Sequence, residues 1–172
     1  MNAIKYFSYG SNLLKERIQA RCPSARKIGT GKAVGLKICF GKISTRKNGM
    51  QCGKANLVVA EASSVWGVIY EMPESEFSAL SEMEKGYSVF EMSVNSPELG
   101  VVVCAFHNSD RTAGGLPIYD WYLQLVVVGA KQNNLPSAYI EELEDFQSVP
   151  DPGGDNYRDA REARHLLEEV CQ

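Results

Sequence analysis

Short runs of β-branched and aromatic residues crowd the first two thirds of this chain, and helical periodicity dominates the last third. That segregation is the strongest constraint on the fold, because strands and helices that do not alternate build α+β rather than doubly wound α/β architectures. Residues 4–9 read as a first strand, and 34–40, 55–60, 65–71, 89–94 and 100–106 as further short strands between Gly, Asn and Ser punctuation. Helices are expected over 13–21, ending before Cys22-Pro23, and over 73–84 with Ser75 placed to cap it. Further helices are expected over 119–131, 137–146 and 157–171. The pattern predicts a small mixed β-barrel or sheet flanked by helices. A length of 172 residues without repeat or linker suits one domain over 1–172, with the helix at about 157–171 packing on it.

Composition removes several classes. No apolar run approaches the roughly 20 residues that a membrane helix needs, so no membrane partner is expected. The opening Met1-Asn2-Ala3-Ile4-Lys5-Tyr6 lacks the basic-then-apolar plan of a secretory leader. Five widely spaced cysteines, with no C-x-x-C and no histidine at zinc-finger distance, predict reduced thiols in a cytoplasmic protein and no structural metal. Residues 1–54 carry 12 Lys/Arg against one acid, and the remaining 118 carry 6 against 20, giving +11 and −14 within a net charge of −3. The basic residues are spread over several elements without an RGG or RNP pattern. They therefore read as a solvated face pairing with the acidic remainder, not as a nucleic-acid or polyanion surface.

Two features carry chemistry. Tyr6-Phe7-Ser8-Tyr9-Gly10-Ser11-Asn12 is a strand running through a tight turn into a helix start, with Ser11 or Asn12 able to cap that helix. Such a turn directs backbone N–H groups outward and suits a phosphate oxygen or a carboxylate, or else is a plain capped turn. It is neither a Walker loop nor a dinucleotide fingerprint. In the helix over 73–84, Phe77, Leu80 and Glu84 fall within about 60° of one another, whereas Glu82 lies about 140° from Phe77 and faces water. A carboxylate that extends an apolar stripe is costly unless it is paired or functional. The alternative is a helix that frays at Lys85-Gly86 and releases Glu84 to solvent. Among Tyr119, Trp121 and Tyr122, core packing is weighed against pocket lining. His107, with no triad partner in view, is expected in an exposed turn. The absence of G-x-S-x-G argues against a serine hydrolase.

Tyr6-Phe7-Ser8-Tyr9-Gly10-Ser11-Asn12-Leu13 resembles the Y-F-x-Y-G-S-N-L opening of the γ-glutamylcyclotransferase family. Val65-Trp66-Gly67-Val68 is similar to its V-W-G-V strand, Leu80–Glu84 to its L-x-x-x-E, and Gly129–Pro136 to its G-A-K-x-N-x-L-P segment. The matches occur in order and span roughly residues 6–146.

The resemblance implies a small mixed α/β barrel, no cofactor and conversion of a small-molecule γ-glutamyl amide into 5-oxoproline and a free amine. It places the glutamyl group in the turn formed by Tyr6, Phe7, Ser8, Tyr9, Gly10, Ser11 and Asn12, the general acid/base at Glu84 and a pocket tyrosine at Tyr122. A homodimer is expected on the same ground. Two departures stand out: Lys85 separates Glu84 from Gly86, and Phe106 stands where some relatives carry a tyrosine. The competing expectation is an inactive module on the same scaffold that binds a small ligand or a protein.

Overall fold

The longest elements are two strands that local punctuation divides into shorter pieces. In the computed structural model, which describes residues 2–170 without the side chain of Asp155, β2 runs Arg26–Thr45 and β3 runs Gln51–Pro73. They form one continuous antiparallel hairpin, from Arg26 opposite Glu71 to Thr45 opposite Gln51. Gly35, inside the strand expected at 34–40, is a bulge: its φ of +79° sits at the register shift between Val34 and Leu36. A single left-handed residue there bends the ladder without ending it. The two segments expected at 55–60 and 65–71 are likewise one strand running through Ser63 and Ser64.

Three shorter strands complete the sheet: β1 (Ala3–Ser8), β4 (Ser88–Ser96) and β5 (Gly100–Asn108). The order β1-β3-β2-β4-β5 closes into a barrel. Every pairing is antiparallel except the closing contact of β1 with β5, at Tyr6 opposite Ala105. The barrel and its flanking helices match the α+β expectation.

A 3-10 turn (Ser11–Leu13) leads into α1 (Lys15–Arg21), and α2 spans Glu74–Met83. The capping expectations fail: Ser11 and Asn12 lie inside the 3-10 turn, with Leu14 at the entry to α1, and Ser75 lies inside α2. Gly10 and Pro73 occupy the entry positions, with no side-chain cap. Ser11 and Asn12 are thereby freed for other contacts. The remaining helices are α3 (Asp120–Gln132), α4 (Ser137–Glu144) and α5 (Arg158–Val170). Cys171, the last residue of the expected terminal helix, lies outside the described residues. Ala160, Ala163 and Leu167 of α5 are buried where it meets α3. Among the described residues no helix is long and apolar enough to cross a membrane. Cys22, Cys39, Cys52 and Cys104 are free thiols.

The charge asymmetry resolves into ion pairs that join the first third to the rest: Arg21–Glu84, Arg26–Glu71 and Arg46–Asp151. The last is buried at the tip of the β2–β3 hairpin. Asp151 accepts hydrogen bonds from Arg46, from the Trp121 indole at 2.8 Å and from the Gly153 N–H at 2.9 Å. Burial opposes ionisation, but these donors hold the carboxyl down at about 2. The folded value lies below the unfolded one, about 3.9. The stabilisation is therefore present above pH 4 and is lost as pH falls toward 2. Asp151→Asn should cost about 2–3 kcal/mol at pH 7. In urea titrations the gap between variant and parent should close below pH 4; a gap independent of pH contradicts this account.

Candidate active site

β1 ends at Ser8, and the chain turns over the barrel mouth at Tyr9–Asn12. Here Tyr6, Tyr9, Gly10, Ser11 and Asn12 line a hollow together with Ala55 of β3, Glu84 and Tyr87 beyond α2, His107 of β5 and Tyr122 of α3. Gly10 keeps that hollow open, because a Cβ there would lie 3.0 Å from the Ala55 Cβ and 3.7 Å from the Tyr122 hydroxyl. The turn is braced from behind by Asn133, whose amide donates to the carbonyls of Leu13 and Gly129, both at 2.8 Å.

Glu84 is not the last helical residue but the one that follows α2, at φ −81° and ψ 61°. Its N–H still donates to the Leu80 carbonyl at 3.0 Å. Phe77 and Leu80 are buried, as the stripe predicts. The chain then reverses through Gly86, at φ +79°, where the left-handed conformation suits glycine. Lys85 adds a residue to this turn, yet the turn is held: the Lys42 ammonium donates to the Lys85 carbonyl at 2.7 Å and the Ser109 hydroxyl to the Gly86 carbonyl at 2.7 Å.

The carboxylate so placed is one-fifth exposed. Its Oε1 accepts from Arg21 Nη1 at 2.7 Å and from Asn12 Nδ2 at 3.1 Å. Asn12 is the hub: it also donates to the Tyr6 hydroxyl at 3.2 Å and accepts from Arg21 at 3.2 Å. Glu84 is thus tied directly to the turn. Glu82 is exposed, as its angular position predicts.

Four phenols surround the carboxylate. Burial raises Tyr6, Tyr9 and Tyr87, and the negative charge of Glu84 adds to each; burial pushes Tyr122 up to about 12. All four are neutral hydroxyls near pH 7. Tyr9 donates to the His107 carbonyl at 2.6 Å, and Tyr87 to the Ala55 carbonyl at 2.6 Å. The Tyr122 oxygen accepts the Ala55 N–H at 3.1 Å.

His107 corrects the expectation of an exposed turn. It lies on β5, 4% exposed, with its ring stacked on Phe77 and edge-on to Tyr6. Ser81 spends its hydroxyl hydrogen on the Phe77 carbonyl, so the 2.9 Å contact between Ser81 Oγ and His107 Nε2 assigns the imidazole hydrogen to Nε2. Nδ1 is then an acceptor, buried with no hydrogen-bond partner among the described residues. Burial lowers the imidazole pKa, opposed by Glu84.

Phe7 and Ser8 do not line the hollow. They lie between Tyr6 and Tyr9 at the end of β1, wholly buried. Tyr119 and Trp121 face Arg46 and Lys54 instead, leaving Tyr122 as the pocket member of that cluster. Phe106 is buried beside Phe90, outside the lining. Arg21, Ala55, Tyr87 and His107 are lining or bridging residues that sequence reasoning missed. Among the described residues no three His, Cys, Asp or Glu side chains converge as metal ligands.

Residues 64–143 match the model of the AIG2-like family. Gamma-glutamylcyclotransferase of Mus musculus is 36% identical over 146 residues, covering 80% of this chain and 76% of the relative. The Homo sapiens protein of the same name is 34% identical over the same coverage. This chain belongs to the γ-glutamylcyclotransferase family. A solved structure described as a gamma-glutamyl cyclotransferase superposes with a TM-score of 0.85 at 26% identity, covering 98% of this chain and 99% of its own. The resemblance read from four short motifs thus extends to the whole barrel. The family's Gly129 and Asn133 positions acquire a physical role here, since both pack beneath the Tyr9–Leu13 turn.

Proposed function

We propose that this protein cyclises γ-glutamyl amides, releasing 5-oxoproline and a free amine, with Glu84 as the general acid/base and the Tyr6–Asn12 turn as the glutamyl cradle. The observation that carries this reading is the Glu84 carboxylate, bonded to Asn12 of the turn inside a hollow of neutral hydroxyls. Family membership supplies the reaction class.

In this reading the glutamyl head folds back on itself in the cradle, so that its α-amine faces its own γ-carbonyl. Glu84 removes a proton from the α-ammonium. The amine lone pair then attacks the γ-carbon, and the new C–N bond closes a five-membered ring. The tetrahedral oxyanion is stabilised by N–H donors of the turn, while the Tyr122 hydroxyl holds the glutamyl head equally before and during the reaction. Glu84 returns the proton to the leaving nitrogen as the old C–N bond breaks. Attack within one molecule needs orientation more than activation, and proximity supplies several of the about 7–11 kcal/mol available to well-held reactants. Arg21 keeps the Glu84 carboxylate aimed between turnovers.

The four free thiols support a reducing, cytoplasmic setting for the enzyme. The decisive assay incubates the purified chain with γ-glutamyl-alanine, glutathione and γ-glutamyl-lysine and measures 5-oxoproline. Product from at least one is expected; none from any of them would leave a binding module in place of an enzyme.

A further inference from the structure

Behind the hollow lies a cation that the proposed mechanism does not use. Lys54 precedes Ala55 on β3, so its side chain leaves the opposite face of the strand, toward α3. Its ammonium sits 3.9 Å from the centre of the Tyr122 ring and 4.1 Å from that of Trp121. Among the described residues no carboxylate forms an ion pair with it. Successive residues of β3 therefore hold Tyr122 at two points: the Ala55 N–H binds the phenol oxygen, and the Lys54 charge covers the ring face. The charge is itself fixed, because the Trp121 indole is tethered to Asp151 and Arg46 at the hairpin tip.

We propose that Lys54 is a positioning residue whose charge polarises Tyr122, making its hydroxyl a stronger hydrogen-bond donor to the glutamyl group. The inference rests on the cyclase reading of the site. A cation over the face of a phenol draws electron density from the oxygen toward the ring, and in a desolvated setting the effect is large. The oxygen already accepts the Ala55 N–H, which leaves the phenol hydrogen to donate into the hollow. Ser11 lies against the same hydroxyl and is itself held by Arg17, whose Nε donates to Ser11 Oγ at 3.2 Å.

Burial also pushes Lys54 down to about 8. The groups facing it are Cys52 on its own strand and Asp159 of α5, which favour the charged form, and Arg17 of α1 and Arg46 just beyond β2, which oppose it. The ammonium is present at pH 7 and is lost as pH rises through about 8, so Tyr122 weakens as a donor across that window.

The test compares the parent with Lys54→Met and Lys54→Arg, measuring KM and kcat for the γ-glutamyl substrate that the parent turns over best, between pH 6.5 and 9.5. A Tyr122 bond made equally in ground and transition states changes KM and leaves kcat in place. Lys54→Met is expected to raise KM about tenfold at pH 7 with kcat within about twofold. The parent KM should climb above pH 8, whereas in Lys54→Met it should lack that climb. Lys54→Arg, charged throughout, should keep a low KM to higher pH. Ionisation of the substrate amine contributes equally to all three and cancels in the comparison. If Lys54→Met fails to fold, the parent and Lys54→Arg profiles still decide. Coincident KM profiles in parent and Arg variant overturn the proposal, as does a Met variant with parental KM at pH 7. Absence of turnover in the parent would instead sink the cyclase reading itself.

Discussion

Glu84→Gln lowers kcat by about 10²–10⁴-fold while 5-oxoproline still binds. The amide keeps the shape and continues to accept from Arg21 and Asn12, so the cradle geometry is preserved. What disappears is the ability to take a proton from the α-ammonium, and an ammonium has no lone pair with which to attack. The loss should therefore fall on kcat and not on product affinity, which calorimetry with 5-oxoproline reads separately. Glu82→Gln, two residues earlier on the exposed face, is the control and should retain parental turnover. Parental turnover in Glu84→Gln would remove Glu84 from the reaction.

Gly129→Ala should damage both stability and activity, although alanine in a helix ordinarily gains about 1 kcal/mol over glycine. A Cβ at this point of α3 would lie 2.5 Å from the Leu14 nitrogen and 2.7 Å from the Leu13 carbonyl carbon. Both atoms are backbone and cannot rotate away, so the 3-10 turn or the helix must shift. Overpacking of this kind costs roughly 3 kcal/mol, which outweighs the propensity gain. For a domain of this size the midpoint should fall by about 5–10 °C. The displaced turn carries Asn12, so KM should rise at temperatures where the variant is still folded. A variant that melts with the parent and keeps its KM would show that the helix tolerates the methyl group and that the cradle is not set by this contact.

The turn and the carboxylate of the proposed site are legible in the sequence because each is local. Tyr6–Asn12 is one continuous stretch, and the angular position of Glu84 follows from Phe77 and Leu80 within two helical turns. Arg21 was not legible, although it sits inside an expected helix: nothing nearby indicates that Glu84, sixty-three residues later, will fold against it. His107 and Ala55 reach the hollow through strand pairing, which alternation within a single strand does not reveal. Tyr87 depends on the reversal at Gly86. The strand lengths were misjudged for a different reason. Glycine and serine break an isolated ladder, but in a closed barrel the same residues make bulges and bends that the curvature requires. Ser11 and Asn12 suit a helix terminus by residue type, but Ser11 accepts from Arg17 and Asn12 donates to Glu84, the latter a partner that a local reading does not supply.

The strand carrying Tyr6 is also the last stave of the barrel, wedged between β3 on one edge and β5 on the other. During synthesis the β2–β3 hairpin can pair as soon as it leaves the ribosome, whereas the closing contact of the first strand must wait for a neighbour about one hundred residues downstream. Tyr122 emerges later still. On the proposed assignment of the site, growing chains should be catalytically silent until most of the polypeptide has been made, and any opening that releases the first strand should dismantle the hollow before the rest of the domain unravels.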